Sequence, residues 1–186
     1  MQIENISMEK KKILAIPGST RQQSSNLSII NALIELYGDV LEIEIYKGII
    51  SLPQFNPDDD DGDLSNEVTA FRQLLAAADG ILVCTPEYAR GVPGALKNAI
   101  DWTVSSSSFP NKPTVLITAS TDGSYGHRAL LETLKAIEAG RVEELQMVIP
   151  FVKTKISTEG KIIDSSTLAA VQSLMARFMD CLDGRG

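Results

Sequence analysis

Cysteine, histidine, positive charge and long apolar runs are what this sequence has least of. Two cysteines in 186 residues, Cys84 and Cys181, lie far apart, without the CxxC spacing of a redox or zinc site and without the density of a disulfide-stapled secreted domain. A reducing compartment follows, and the cytoplasm is the expected location. The net charge of −7 works against a broad contact with phosphate backbones, so nucleic acid is not an expected partner. The apolar run behind Lys10–Lys12 ends at Pro17, too short for a signal segment or a membrane span, and no membrane partner is expected. The single histidine, His127, is expected at a loop surface rather than as a proton donor. What remains is ordinary for a globular chain. With 44% hydrophobic residues, one soluble domain is predicted over residues 11–186, preceded by a loose tail at residues 1–10.

The apolar pattern alternates between two periods. Ile13–Ile16 form a short unbroken apolar run ending at Pro-Gly, the mark of a strand buried on both faces of a parallel sheet. From Asn26 the apolar positions Leu27, Ile30, Leu33, Ile34 and Tyr37 keep helical spacing, with Ser24 or Ser25 as cap and Gly38 as stop. Leu41–Tyr46 alternate like a half-exposed edge strand, Val68, Phe71, Leu74 and Leu75 mark a helix, and Ile81–Cys84 form a second buried strand. A helix over Ala95–Val104, a strand over Thr114–Thr118, a helix over Ala129–Ala139, a strand over Val142–Ile149 and a closing helix over Ser165–Leu182 complete the chain.

Five strands alternating with five helices predict an α/β fold of three layers, a doubly wound five-stranded parallel sheet. Five strands fit the flavodoxin-like order 2-1-3-4-5 better than the six of a Rossmann sheet, and ligands then bind beyond the carboxyl ends of the first and third strands. The loops at those ends are GSTRQQSSN, residues 18–26, and TPEYARG, residues 85–91. The first crowds hydroxyls, an amide and Arg21 against a helix N-terminus, whose free N–H groups and dipole favour a phosphate. It lacks the Gly-Lys-Ser/Thr of a Walker loop and the three glycines of GxGxxG, which weakens the triphosphate and Rossmann dinucleotide readings. In the second, Tyr88 offers a flat aromatic face, which could also merely lid the sheet, and Gly91 lets the backbone be approached closely.

With GSTRQQSSN at 18–26, PEYARGVPGALKNAIDW at 86–102 and ASTDGSYG at 119–126, the chain resembles the NADPH-dependent FMN reductase family, flavodoxin-like proteins that include quinone, azo-dye and chromate reductases. The resemblance implies tightly bound, non-covalent FMN, with NADPH or NADH as co-substrate. It makes Ser19, Arg21, Ser24, Ser25 and Asn26 the phosphate ligands. It sets Pro86, Glu87, Tyr88, Arg90 and Gly91 against the isoalloxazine, with Ser120, Thr121 and Gly123 closing its other edge. No catalytic acid or base and no metal are implied, because the flavin carries the chemistry. The implied activity is ping-pong hydride transfer from the nicotinamide to flavin N5 and on to a small acceptor: a quinone, a free flavin, an azo compound or a metal oxyanion. A flavodoxin-type one-electron carrier without a nicotinamide site is the alternative, and a flavin-binding sensor a third. Two positions depart from the family pattern, Ala89 where many relatives have Asn and His127 where they have a second glycine.

Three other stretches carry expectations of their own. Trp102 falls off the apolar stripe of its helix and is expected to point outward, which together with the family resemblance predicts a homodimer or homotetramer. Asp58–Asp61 do not fit a calcium loop, since with Gly62 as sixth residue Pro57 and Val68 would stand first and twelfth, so a solvated acidic loop is expected. Cys84 at a strand end is expected to act as a small buried hydrophobe.

Overall fold

Consecutive residues of the central strands enter opposite cores. Leu14, Ile16, Ile81, Val83 and Leu116 pack into one apolar cluster, and Ile13, Ala15, Leu82, Val115 and Ile117 into another. A strand changes side at every residue, so burial on both faces requires the unbroken apolar runs of the sequence. The computed structural model describes residues 9–60, 62, 64–106 and 108–185, and most of the tail expected at residues 1–10 lies outside them. The elements in chain order are β1 (Lys11–Pro17), α1 (Ser25–Tyr37), β2 (Leu41–Ile45), α2 (Pro57–Asp60), α3 (Asn66–Ala77) and β3 (Gly80–Thr85). There follow α4 (Gly94–Asp101), β4 (Thr114–Ala119), α5 (Ser124–Ala136), β5 (Gln146–Ile149), a 3₁₀ turn over Val152–Thr154, and α6 (Ser165–Leu182).

All strand pairs are parallel and the order is β2-β1-β3-β4-β5, the expected flavodoxin-like arrangement. Ile13 stands opposite Ile43 on one side and Gly80 on the other, which aligns the carboxyl ends of β1 and β3. One face is covered by α1 and α6 through Ile29, Ile30, Leu33, Val171, Leu174 and Phe178. The other is covered by α3, α4 and α5 through Phe71, Leu75, Leu96, Ile100, Leu130 and Leu134. Each fully buried side chain of this size contributes ~1.5–3 kcal/mol relative to exposure, which is what holds the three layers together.

Several expectations are corrected by tertiary contacts. Trp102 is 2% exposed, not outward-facing. Helix α4 stops at Asp101, and the chain from Tyr46 to Phe55 folds over its end, so that the indole N–H donates to the Pro53 carbonyl at 2.8 Å and the Phe55 ring meets it edge-on at 5.0 Å. The subunit-surface argument from Trp102 is lost. The acidic run is not simply a solvated loop: Pro57–Asp60 form a short helix, and Asp60 pairs with Arg72 of α3, whose Nε donates to the Trp102 carbonyl at 2.7 Å. Helix α5 starts at Ser124, five residues before the expected Ala129, because Gly123 takes a left-handed φ of 96° and opens it. It ends at Ala136 instead of Ala139, since Glu138 turns left-handed at φ 58°. Of the strand expected over Val142–Ile149 only Gln146–Ile149 is extended; Val142 and Leu145 are buried from a turn in which the Arg141 carbonyl accepts from the N–H groups of Glu144 and Leu145.

Candidate functional site

Strand order reverses direction on either side of β1, so the loops leaving β1 and β3 diverge and open a crevice between them. The loop after β1 enters α1 through Ser24, whose Oγ accepts from Leu27 N at 3.1 Å and whose carbonyl receives Ser28 N at 3.0 Å. The first turn of α1 therefore points N–H groups with no partner inside the helix toward the crevice. Ser19, 6% exposed, accepts from Arg21 N at 3.3 Å and stands 3.5 Å from the Tyr88 hydroxyl, tying the first loop to the second. Gly18 permits that approach, since a Cβ there would lie 2.1 Å from Thr85 Oγ1.

Asn26 is buried on α1 and accepts from the Cys84 thiol at 3.5 Å. Burial raises the Cys84 pKa well above the ordinary thiol value, so the sulfur stays protonated and can donate. Cys84 is the buried residue expected, with the added task of orienting an amide. The Asn26 oxygen being engaged, its NH₂ group is the part left for the crevice.

After β3 the chain reverses in a two-residue turn: Tyr88 and Gly91 exchange backbone bonds of 3.1 and 2.8 Å, and Ala89 and Arg90 between them take φ of 49° and 59°. Two left-handed residues are what a type I′ turn demands, and Asn or Gly is favoured there. The departure at Ala89 thus has a backbone meaning, strain without Asn's relief. The turn is braced against α5. Glu87 Oε2 accepts from Gly126 N at 2.6 Å, and the Arg90 guanidinium lies 4.7 Å above the Tyr125 ring. A Cβ at Gly126 would come within 2.9 Å of the Gly91 carbonyl, so only glycine allows this contact.

The third wall comes from the ends of β4 and β5, which are laced together: Ser120 N donates to Ile149 O, Phe151 N to Thr121 O, and Val152 N to Ser120 O. Phe151 is left-handed at φ 51° and 64% exposed. Together the loops enclose a cavity of about 410 Å³. Ser19, Arg21, Ser24, Ser25 and Asn26 line it from the first loop, Pro86, Glu87 and Tyr88 from the second, and Ser120 and Thr121 from the third. Three sequence-derived site residues stand outside this lining. Arg90 lies over Tyr125, Gly91 closes the turn, and Gly123 opens α5. Sequence reasoning missed Gln23, Ala119 and the stretch Phe151–Thr154. The predicted strand order already placed the exit of β5 beside that of β4, a signal that could have found Phe151–Thr154, while Gln23 and Ala119 lie within the loop motifs at 18–26 and 119–126.

His127 also differs from expectation. It is buried in α5, with Nδ1 2.8 Å from Thr118 Oγ1 and Nε2 bonded to Gln146 Oε1, and desolvation lowers its pKa against the opposing pull of Gln146. It pins α5 to β4 and β5 beneath the cavity. Among the described residues no group of three or more acidic, histidine or cysteine side chains is placed to hold a metal.

A doubly wound sheet with a hydroxyl- and arginine-bearing helix entrance and an aromatic turn at its switch point defines a flavodoxin-like mononucleotide-binding protein. The model of the NADPH-dependent FMN reductase family matches residues 11–152, and the chain belongs to that family. It is similar to a 2-hydroxy-1,4-benzoquinone reductase of Burkholderia sp, 30% identical over 90% of this chain and 93% of that protein. A quinone reductase of Escherichia coli K12 is 30% identical over 91% and 94% of the two chains. Among solved structures, the flavoenzyme NAD(P)H:(acceptor) oxidoreductase FerB of Paracoccus denitrificans superposes with a TM-score of 0.77 at 25% identity, over 95% of this chain and 99% of that one. The protein is an oxidoreductase of the FMN- and NAD(P)H-dependent kind. The residues present suit FMN: the cavity has the size of a small-molecule site, and one wall combines a cation, three hydroxyls and an amide with a helix N-terminus.

Proposed function

We propose that the chain holds FMN tightly and non-covalently in the cavity between the three loops, and passes hydride from NADPH or NADH to a small acceptor by a ping-pong mechanism. One observation carries this reading. The cavity joins an anion-binding wall at Arg21, Ser24, Ser25 and Asn26 to an exposed aromatic turn at Tyr88, as a molecule with a phosphate at one end and a flat ring at the other requires. When bound, the flavin supplies the chemistry, taking hydride from a nicotinamide and yielding it to an acceptor.

The chain's own residues position and exclude. Arg21 offers a planar fork to the phosphate, and the free amide of Asn26 is held toward it by Cys84. Glu87 fixes the Tyr88 turn by its bond to Gly126 N, which keeps the aromatic face at one height above the sheet. Tyr88 is 48% exposed, so the space above the turn is open to solvent and to a second flat molecule. Such a site selects acceptors by shape and not by many polar contacts, in keeping with quinones, azo compounds, free flavins and metal oxyanions. A homodimer or homotetramer and a cytoplasmic location belong to the same reading. Among the described residues no helix is long and apolar enough to cross a membrane.

Anaerobic mixing of the flavin-loaded protein with NADPH or NADH, followed at the flavin absorbance, tests the proposal. Either nucleotide bleaches the flavin, a quinone restores it, and steady-state plots at several quinone concentrations are parallel. Loss of no colour with either nucleotide would overturn the enzyme reading in favour of the one-electron carrier.

A further inference from the structure

The cavity does not end at the entrance to α1. Gln23, Ser24, Ser25 and Lys153 line both it and a second cavity of about 530 Å³, a trough between α1 and the turn joining Ile156 to Ile162. One side of the trough is a single stripe of α1, Ser28, Asn31 and Glu35, spaced three and four residues apart. The other side is Ser157, Glu159 and Gly160. Gly160 has φ 83°, and a Cβ there would lie 3.5 Å from the Ser28 Cβ, so the two walls stand close.

The charges in the trough are ordered. Lys153 stands at the junction, beside the helix entrance that suits a phosphate. Glu35 is ten residues beyond Ser25 on α1, about 15 Å at the helical rise of 1.5 Å per residue, and Glu159 faces α1 from the opposite turn. Among the described residues none of these three side chains has an ion-pair or hydrogen-bond partner. A cation at the near end neutralises a second phosphate. Carboxylates further along accept from the vicinal hydroxyls of a ribose and repel a phosphate carried on its 2′ oxygen.

We propose that the trough is a subsite for an adenosine 5′-phosphate with an unsubstituted ribose, Lys153 holding its phosphate and Glu35 and Glu159 its ribose. The proposal rests on FMN, or the FMN half of a larger cofactor, filling the first cavity. The adenylate can then come from two sources, as part of a flavin dinucleotide or as part of NADH, and either source disfavours NADPH in the trough.

Calorimetric titration of AMP into the FMN-loaded protein tests this, with adenosine 2′,5′-bisphosphate as second probe. AMP binds, and the bisphosphate binds about tenfold or more weakly, the equivalent of one repelled charge. Asn31 is exposed and makes no side-chain hydrogen bond among the described residues, so Asn31→Trp fills the trough without disturbing α1. It abolishes AMP binding while FMN affinity and circular dichroism stay as in the parent. Lys153→Gln weakens AMP several-fold, and Glu35→Gln with Glu159→Gln narrows the gap between the two probes. The sources separate in the same variant: Asn31→Trp weakens FAD but not FMN in one case, and raises KM for NADH in the other. No AMP binding, AMP binding indifferent to Asn31→Trp, or no response of either FAD or NADH would overturn the assignment. A protein that takes AMP but not FMN would instead sink the flavin reading and leave the trough standing.

Discussion

At the carboxyl end of the sheet Ala89, Arg90 and Phe151 have φ of 49°, 59° and 51°; at the amino end Asn111, Glu138 and Arg141 have φ of 60°, 58° and 56°. Both ends also hold a cavity, of about 410 Å³ at the first and about 620 Å³ at the second. The two ends differ in where their polar groups go. At the amino end Asn111 N donates to Glu138 O and Gly140 N to Lys112 O, and Lys112 Nζ serves the carbonyls of Leu75, Ala76 and Ala78 at the end of α3. Of the five charges lining its cavity four pair with one another, Lys135 with Glu143 and Arg141 with Glu144, and only Glu138 stands without an ion pair among the described residues. At the carboxyl end Arg21 and Lys153 have no ion pair among the described residues, and Tyr88 and Phe151 remain exposed. Strained backbone marks a tight turn wherever it occurs, whereas donors and aromatic faces left without partners mark a place for a ligand.

The comparison predicts separable effects. The largest falls at the amino end: Lys112→Met leaves three helix-terminal carbonyls without their shared donor, at about 3 kcal/mol, or a melting point lower by ~6–12 °C, with FMN affinity unchanged. A matching loss of FMN affinity would show that the two ends are coupled. Next comes Arg21→Ala, which weakens FMN by ~1.5–3 kcal/mol, the range for a bond to a charged group, and leaves riboflavin binding and the melting point of the flavin-free protein almost unchanged. Equal losses for FMN and riboflavin would remove Arg21 from the phosphate.

Strain itself is compared by Ala89→Gly and Glu138→Gly. Each relieves a left-handed residue and raises stability by about 1 kcal/mol in denaturant titration, if strain is stored alike at both ends. A gain at one end alone would break that equivalence. A pH-dependent effect concerns His127, which joins α5 to β4 and β5. Its pKa in the fold is depressed below the unfolded value of about 6.5, so its contribution is complete above that pH and is lost as pH falls through the folded pKa. The parent therefore loses stability below about pH 6.5 by at most ~1.4 kcal/mol per pH unit from this residue, and His127→Gln flattens that part of the curve.

Much of this was legible in the residues themselves. The runs Ile13–Ile16 and Ile81–Cys84 mark strands covered on both faces, the serine and glycine punctuation marks α1, and the crowding of polar residues in GSTRQQSSN and PEYARG marks two of the three cavity walls. Such features are local: periodicity, capping and turn chemistry act within a few residues and leave their trace at that spacing. Other features depended on which distant segment arrives next. Trp102 reads as outward on an isolated helix and is buried because Pro53 and Phe55 fold over it. His127 reads as a loop residue and is buried because Thr118 and Gln146 supply a partner for each ring nitrogen. The brace from Glu87 to Gly126, the thiol that turns Asn26, and the contribution of Phe151 and Lys153 to the cavity all join residues far apart in the chain. No helical or strand period encodes such contacts, since they form only when sheet order and packing bring the loop ends together.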